Sequence, residues 1–148
     1  MMRIQTILHP TDFSPSSGQA FQLACSLARD HGARLMVLHV VDQPIAAYGG
    51  VMTAPPPPPP MEERKAAQEK LHQLRLTDLK LPIETRLVEG DPVMWILQVA
   101  KENNYDLIVM GTHGRTGLSR LLMGSVAEKV LRSALCPVMT VKAGVTQV

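Results

Sequence analysis

Four glycines, at positions 111, 114, 117 and 124, lie within fourteen residues, directly after the apolar run Leu107–Met110. A helical pattern starts at Ser125, so the stretch is typical of a strand, a flexible loop and a helix start. Glycine permits a positive φ and a close backbone approach to a ligand, while the N–H groups and dipole of a helix start favour an anion. The stretch therefore predicts a phosphate-binding loop of a doubly wound α/β sheet.

The rest of the chain alternates strand and helix patterns. Strands are predicted at Arg3–Leu8, Ala33–Val41, Ile83–Val88, Asp106–Met110 and Pro137–Val141, and helices between Ser14 and Gly32, over Met61–Leu76, between Asp91 and Asn103, and from Ser125 onward. Strands that alternate with helices predict a parallel sheet with right-handed crossovers. The second and fourth strands are continuously apolar, so we expect the order 3-2-1-4-5 with helices on both faces, a Rossmann-like or flavodoxin-like α/β fold.

Local signals refine this prediction. Ser14 before Pro15 is a typical helix start, with the serine as N-cap and the proline in the first turn. Gly90 is expected to form a turn before the third helix. The last helix is expected to bury four apolar side chains: Ala127, Val130, Leu131 and Ala134.

A length of 148 residues suits one domain that spans residues 1–148. Residues 44–60 interrupt the pattern as a proline-rich loop with six consecutive prolines, Pro55–Pro60. Such a run favours a stiff polyproline spacer over a strand or a helix. A ligand for SH3 or WW domains is the alternative, although proline runs more often only bridge two elements.

Composition excludes several classes of function. The net charge is +2 with scattered basic residues, and aromatic residues make up 3%, which argues against nucleic-acid binding. No apolar stretch approaches the roughly 18 residues of a membrane span, and the start lacks a signal-peptide pattern. We therefore expect a cytoplasmic protein without nucleic-acid or membrane partners. Both cysteines, Cys25 and Cys136, are expected to be small buried residues.

The predicted strand order also locates a binding site. The chain reverses direction between strands 1 and 4, and such sheets bind ligands beyond the carboxyl ends of those strands. Pro10–Ser14 and the glycine loop follow these two strands. Asp12 would thus face the loop across a crevice, where it could accept hydrogen bonds from ribose hydroxyls or a base amine. Helix capping is the alternative role for Asp12, but Ser14 suits that role better.

The polar residues of the loop each have two interpretations. Ser125 could contact a phosphate, or it could form a capping box with Glu128. Arg115 and His113 could neutralise phosphate charge, or they could be solvated loop residues. The other four histidines show no zinc-ligand spacing.

The spacing of the loop resembles that of the universal stress protein family, whose nucleotide loop has Gly, two residues, Gly, nine residues, Gly, and then Ser or Thr. This pattern is met by Gly111, Gly114, Gly124 and Ser125. The resemblance extends to Pro10–Ser14, Leu38–Asp42 and Cys136–Val141. It implies a stress-response regulator that binds ATP or another adenine nucleotide with Mg²⁺, and a homodimer that pairs through Val138–Val141.

The resemblance also implies a set of nucleotide-binding residues, among which the backbone at Val40 meets the adenine, with Val41 as the alternative if the register is shifted by one residue. The set is Pro10, Thr11, Asp12, Val40, Met110, Gly111, His113, Gly114, Arg115, Gly124, Ser125 and Val126. The sequence contains no activated nucleophile and no pair of carboxylates with separated roles, so slow ATP hydrolysis is conceivable but efficient catalysis is not indicated.

Two other classes of protein share this fold. A nucleotide-independent interaction module could act through the proline segment, but the intact glycine motif argues against it. A two-component receiver domain needs an acidic pair after strand 1, an aspartate after strand 3 and a lysine near the end of strand 5. The chain instead has Asp12 alone, Glu89 and Lys142, so the phosphoacceptor aspartate is missing.

Overall fold

Parallel strands alternate with helices along the chain. The computed structural model describes residues 3–42, 60–113 and 123–143. In chain order the elements are β1 (Thr6–Pro10), α1 (Pro15–His31), β2 (Arg34–Asp42), α2 (Met61–Arg75), β3 (Ile83–Gly90), α3 (Pro92–Glu102), β4 (Leu107–Gly111), α4 (Ser125–Ser133) and β5 (Val138–Val141). The proline-rich loop predicted at 44–60 lies outside the described residues apart from Pro60, which directly precedes α2.

The five strands form one parallel sheet in the order β3-β2-β1-β4-β5, which confirms the predicted topology. Helices cover both faces. Ala24 of α1 and Leu71 of α2 belong to the apolar core on one face, while Val99 of α3 and Val130 of α4 belong to the core on the other. Burial on both faces explains why the central strands are continuously apolar.

Both ends of α1 follow the predicted signals. The Ser14 hydroxyl accepts a hydrogen bond from the backbone N–H of Ser17, and Pro15 is the first helical residue. At the other end Gly32 adopts φ 63°, and its N–H reaches the carbonyl of Ala28. A left-handed glycine after the last turn is a common way to end a helix.

The first and third strands end later than predicted. β1 continues to Pro10, which pairs with Leu38, whereas residues 3–5 lie outside the strand. Gly90 was predicted as a turn but is the last residue of β3, paired with Asp42. Gly90 has a φ of 139°, and a side chain there would lie within 3.2 Å of the Trp95 indole, so both the backbone and the packing require a glycine. Alternation patterns show a strand's interior more clearly than its ends.

The start of α4 differs from the predicted capping box. Gly124 is the N-cap and makes no side-chain hydrogen bond, while Ser125 is the first helical residue. The capping-box interpretation of Ser125 and Glu128 is therefore wrong, and Glu128 instead forms an ion pair with Arg132. Leu131 was expected to face the core but is 46% exposed, since the buried stripe of this short helix consists of Ala127 and Val130.

The two cysteines differ in burial. Cys25 is buried, and this burial raises the pKa of its thiol to about 11. Cys136 is only partly buried, so its prediction as a buried residue is wrong, although burial also raises the pKa of this thiol. Neither forms a disulfide. Both remain protonated near neutral pH, and protonated thiols are poor nucleophiles.

No helix in residues 3–42, 60–113 or 123–143 is long and apolar enough to span a bilayer.

His9 is a fully buried histidine in the middle of the sheet. Its Nδ1 donates a hydrogen bond to the Val109 carbonyl at 2.8 Å, and its ring lies 5.7 Å from that of Phe21. Burial lowers the pKa of His9 to about 4, against opposing contributions from the Val109 hydrogen bond and the charge of Asp12. The imidazole is therefore neutral in the folded protein at physiological pH.

We expect His9 to make the fold sensitive to acid. Between pH 6.5 and about 4 the unfolded chain binds a proton at this residue and the folded chain does not, so the free energy of unfolding falls as the pH falls. Over this pH range the free energy of unfolding should fall by about 3 kcal/mol because of His9. Urea unfolding followed by circular dichroism between pH 4 and 7.5 measures it.

The control for this prediction is a surface histidine. His9→Asn should flatten the dependence of the unfolding free energy on pH, whereas His72→Asn, on the exposed part of α2, should retain it. Equal pH dependence in His9→Asn and the original chain would contradict the assignment.

Candidate functional site

A crevice opens beyond the carboxyl ends of β1 and β4, where the strand order reverses. It encloses a cavity of about 410 Å³, lined by the ends of β1, β2 and β4 and by the first turns of α2, α3 and α4. Small-molecule sites in proteins commonly have this size and lie at such reversal points.

The turn after β1 contributes Asp12 to the cavity. The Thr11 N–H extends the β1–β2 ladder by donating to the Leu38 carbonyl at 2.8 Å. Its hydroxyl accepts from the Phe13 N–H at 3.1 Å, and Asp12 Oδ1 accepts from the Ser14 N–H at 2.9 Å. These short-range hydrogen bonds fix the Asp12 carboxylate between the end of β1 and the start of α1.

The first residues of the glycine stretch are anchored to α1. The carbonyl of His113 accepts hydrogen bonds from the hydroxyls of Ser14 and Ser16. Gly111 lies against the same helix start, because a Cβ built on it would be 2.9 Å from backbone atoms of Ser16 and Ser17. We predicted this glycine for ligand approach, but packing against α1 is the constraint that the structure shows.

Thr112 connects three parts of the fold. Its N–H donates to the Val141 carbonyl of β5 at 2.9 Å, and its own carbonyl accepts from the Gly124 N–H at 2.6 Å. Its hydroxyl is also hydrogen-bonded to His113 Nδ1, at 3.0 Å. The two ends of the glycine stretch are therefore joined at Thr112, and this junction is attached to the edge strand.

The start of α4 forms one side of the cavity. Gly124, Ser125 and Val126 all line it, and no side chain caps this helix. The first N–H groups of a helix have no partner within the helix, and they carry the positive end of its dipole. This side of the cavity therefore favours an anion.

The opposite side is acidic. Asp42, at the end of β2, and Glu63, in the first turn of α2, line the cavity together with the half-apolar surface of His39 and Val40. Burial, and next the charge of Asp91, raise the pKa of Asp42. Two carboxyl groups disfavour a phosphate here, so the electrostatic character of the cavity differs between its two sides.

The structure brings most of the predicted binding residues to this one cavity. Those that line it are Pro10, Thr11, Asp12, Val40, Met110, Gly111, His113, Gly124, Ser125 and Val126. The remaining two, Gly114 and Arg115, lie outside the described residues. Their contact with a nucleotide stays a prediction.

Several lining residues were not predicted. They include Ser17, His39, Asp42, Glu63, Thr112, Pro92 and Ile96. Thr112 lies between two predicted residues, so its position in the glycine stretch was an available signal. Glu63 and Ile96 reach the cavity only because α2 and α3 pack on opposite faces of the sheet, which no local pattern shows.

No group of three or more His, Cys, Asp or Glu side chains within residues 3–42, 60–113 and 123–143 could hold a metal ion. Glu89, which the receiver-domain alternative would need as an aspartate, forms an ion pair with Arg64 at 2.8 Å. Its side chain therefore already has a structural role.

Comparison with known proteins identifies the family. A model of the universal stress protein family matches residues 3–142. The chain belongs to the universal stress protein family. A universal stress protein of Methanocaldococcus jannaschii is 36% identical over 139 residues, which cover 92% of this chain and 81% of that protein. The family resemblance found in the sequence is thus confirmed.

Solved structures of universal stress proteins share the fold. One from Methanocaldococcus jannaschii superimposes with a TM-score of 0.79 at 26% identity. The aligned region covers 99% of this chain and 100% of that chain. A universal stress protein in complex with cAMP has a TM-score of 0.63 at 27% identity, with coverage of 96% and 99%.

Gly111→Ala should destabilise the protein. Its Cβ would meet backbone atoms of α1 that cannot move without shifting the helix, and such overpacking costs about 1 to 3 kcal/mol. Thermal and urea unfolding measure the loss.

Gly18→Ala is the matched control, because a Cβ at Gly18 of α1 would meet nothing within 4 Å. Alanine is the better helix former, so this variant should gain about 0.5 to 1 kcal/mol. A Gly111→Ala variant as stable as the original chain would show that α1 does not pack this closely on β4.

Proposed function

We propose that this universal stress protein is a regulatory protein that binds ATP, or another adenine nucleotide, between Asp12 and the loop from Gly111 to Ser125. The observation that carries the proposal is the electrostatic difference between the two sides of the cavity. The start of α4 favours phosphate, and the carboxyl groups of Asp42 and Glu63 disfavour it.

This difference supports one orientation of the nucleotide. The phosphates lie on the N–H groups at Ser125 and Val126, where a helix start binds anions. The base lies near Val40, on the side of the cavity where the carboxyl oxygens of Asp42 and Glu63 can accept hydrogen bonds. These acceptors favour an amino substituent such as that of adenine. Asp12 lies between the two and accepts hydrogen bonds from the ribose hydroxyls.

Charge neutralisation of the phosphates is assigned to His113, Arg115 and Mg²⁺. His113 lines the cavity next to Gly111. The family-type spacing of the glycines puts Arg115 in the same loop. A Mg²⁺ ion would be held chiefly by phosphate oxygens, since this ion is commonly bound through substrate phosphates and few protein ligands.

The proposed role is binding rather than turnover. Among the described residues that line the cavity, we identify no pair of side chains arranged to activate a water for efficient attack on a phosphate, and we expect any hydrolysis to be slow. The nucleotide-bound state of the domain, taken as residues 1–148, would then act as the signal. A related universal stress protein solved with cAMP supports an adenine nucleotide as the ligand class.

Removing the Asp12 charge should weaken nucleotide binding. Asp12→Asn loses the charge-assisted hydrogen bonds to the ribose, which corresponds to about a tenfold to hundredfold rise in Kd for Mg-ATP. Isothermal titration calorimetry on nucleotide-stripped protein measures this change. Asp30→Asn, an exposed position at the far end of α1, should bind like the original chain.

The nucleotide-independent interaction module is the competing outcome. Protein purified without added nucleotide is denatured, and the released small molecules are identified by mass spectrometry. We expect adenine nucleotide, or a clear thermal stabilisation by Mg-ATP in protein that is empty. Empty protein that Mg-ATP does not stabilise would favour the interaction module.

We also propose a homodimer through β5, Val138–Val141. β5 is an edge strand of the sheet, and exposed edges pair readily with another strand. The surface beside it is apolar, because Leu135 is 88% exposed, Leu131 46% and Met139 37%. A second copy of the chain, related by a two-fold axis, would cover both the edge and this surface.

A charge on β5 should dissociate the dimer. Met139→Glu would put two carboxylates near the axis of an otherwise apolar interface, and a buried unpaired charge costs several kcal/mol. Sedimentation velocity at micromolar concentration should show a dimer for the original chain and a monomer for this variant. Met94→Glu, at a more exposed methionine on α3, should remain dimeric. A monomeric original chain would refute the proposal.

A further inference from the structure

Phe13 has an unusual backbone for a large residue. Its φ is 63°, in the left-handed region, and among the described residues Asn104 is the one other non-glycine with a positive φ. Asparagine tolerates this conformation through its short polar side chain, whereas phenylalanine has no such compensation. Residues in sparsely populated backbone regions persist where surrounding contacts hold them, and they cluster at functional sites.

Side-chain contacts hold Phe13 in place. Its ring lies 4.5 Å from the His39 ring, and the ammonium group of Lys70 lies 5.1 Å from its centroid. The ring also packs against the apolar core beneath α1 and α2. His39 is itself fixed, because its Nδ1 donates to the Thr11 carbonyl at 2.7 Å. The ring therefore contacts side chains of β2 and α2 in addition to its own turn.

The backbone of Phe13 determines where Asp12 lies. The left-handed conformation of Phe13 turns the chain so that the Ser14 N–H points back to Asp12 Oδ1, while the Phe13 N–H donates to the Thr11 hydroxyl. Asp12 lines the cavity and Phe13 does not. Any effect of Phe13 on a ligand is therefore transmitted through the Asp12 carboxylate.

We propose that Phe13 is a positioning residue, whose left-handed backbone and ring contact with His39 hold Asp12 against the ribose hydroxyls of a bound nucleotide. This inference rests on the proposed function. It predicts that the site binds ribonucleotides more tightly than nucleotides that lack the 2′ and 3′ hydroxyls, and that this preference depends on Phe13. Phe13→Gly is the informative variant, because glycine adopts the same φ without strain but has no ring to hold the turn.

The first test needs no ligand. Amide hydrogen exchange of Ser14, followed by NMR, reports the hydrogen bond to Asp12 Oδ1 in the nucleotide-stripped protein. We expect Phe13→Gly to accelerate exchange at Ser14 by about tenfold while the β1 amides remain protected. Phe13→Tyr, which retains a ring, should exchange like the original chain. Unchanged protection of Ser14 in Phe13→Gly overturns the inference.

The second test compares Mg-ATP with Mg-2′,3′-dideoxy-ATP by calorimetry. We expect Phe13→Gly to raise the Kd for ATP about tenfold, the equivalent of one weakened hydrogen bond to a charged group, and to leave the Kd for the dideoxy nucleotide within about twofold. Asn104→Gly, the other left-handed position, should change neither value. Equal losses for both nucleotides would indicate general damage to the site and overturn the positioning role.

The two tests also separate this inference from the proposed function. An original chain that binds neither nucleotide refutes the function and, with it, the ribose preference. The Ser14 exchange rates then still decide whether Phe13 holds the Asp12 turn.

Discussion

The close approach of α1 to the end of β4 is the constraint on which the crevice depends. Gly111 allows the helix start to touch the strand end, and the hydroxyls of Ser14 and Ser16 then reach the His113 carbonyl. Asp12 belongs to the same turn as Ser14. One packing contact therefore sets the separation between the carboxylate and the glycine stretch, and a small residue is needed where the two elements meet.

The sequence predicted the topology well because its signals are local and periodic. Apolar runs in the central strands, an N-cap at Ser14 and a glycine at the end of α1 are each sufficient to define an element, and their alternation leaves few possible sheets. The location of the crevice follows from that strand order. Asp12 could therefore be assigned to it from its position after β1.

What the sequence did not predict depends on contacts between distant residues. Glu63 reaches the cavity through the packing of α2, and Trp95 packs against Gly90 so closely that a side chain there would clash. Gly111 was predicted for ligand contact alone, whereas its packing against α1 also requires a glycine. Ser-x-x-Glu at Ser125 matched a capping box by chance, because the helix begins one residue earlier than that motif needs.

Thr112 connects the glycine loop to β5, the edge strand of the sheet. The same residue is bonded to Gly124 across the glycine stretch and to Val141 at the end of β5. A ligand that alters the loop and a partner strand that pairs with the edge would both act on this junction. Linkage is reciprocal. If bound ligand strengthens the association of two chains by some free energy, then association strengthens ligand binding by the same free energy.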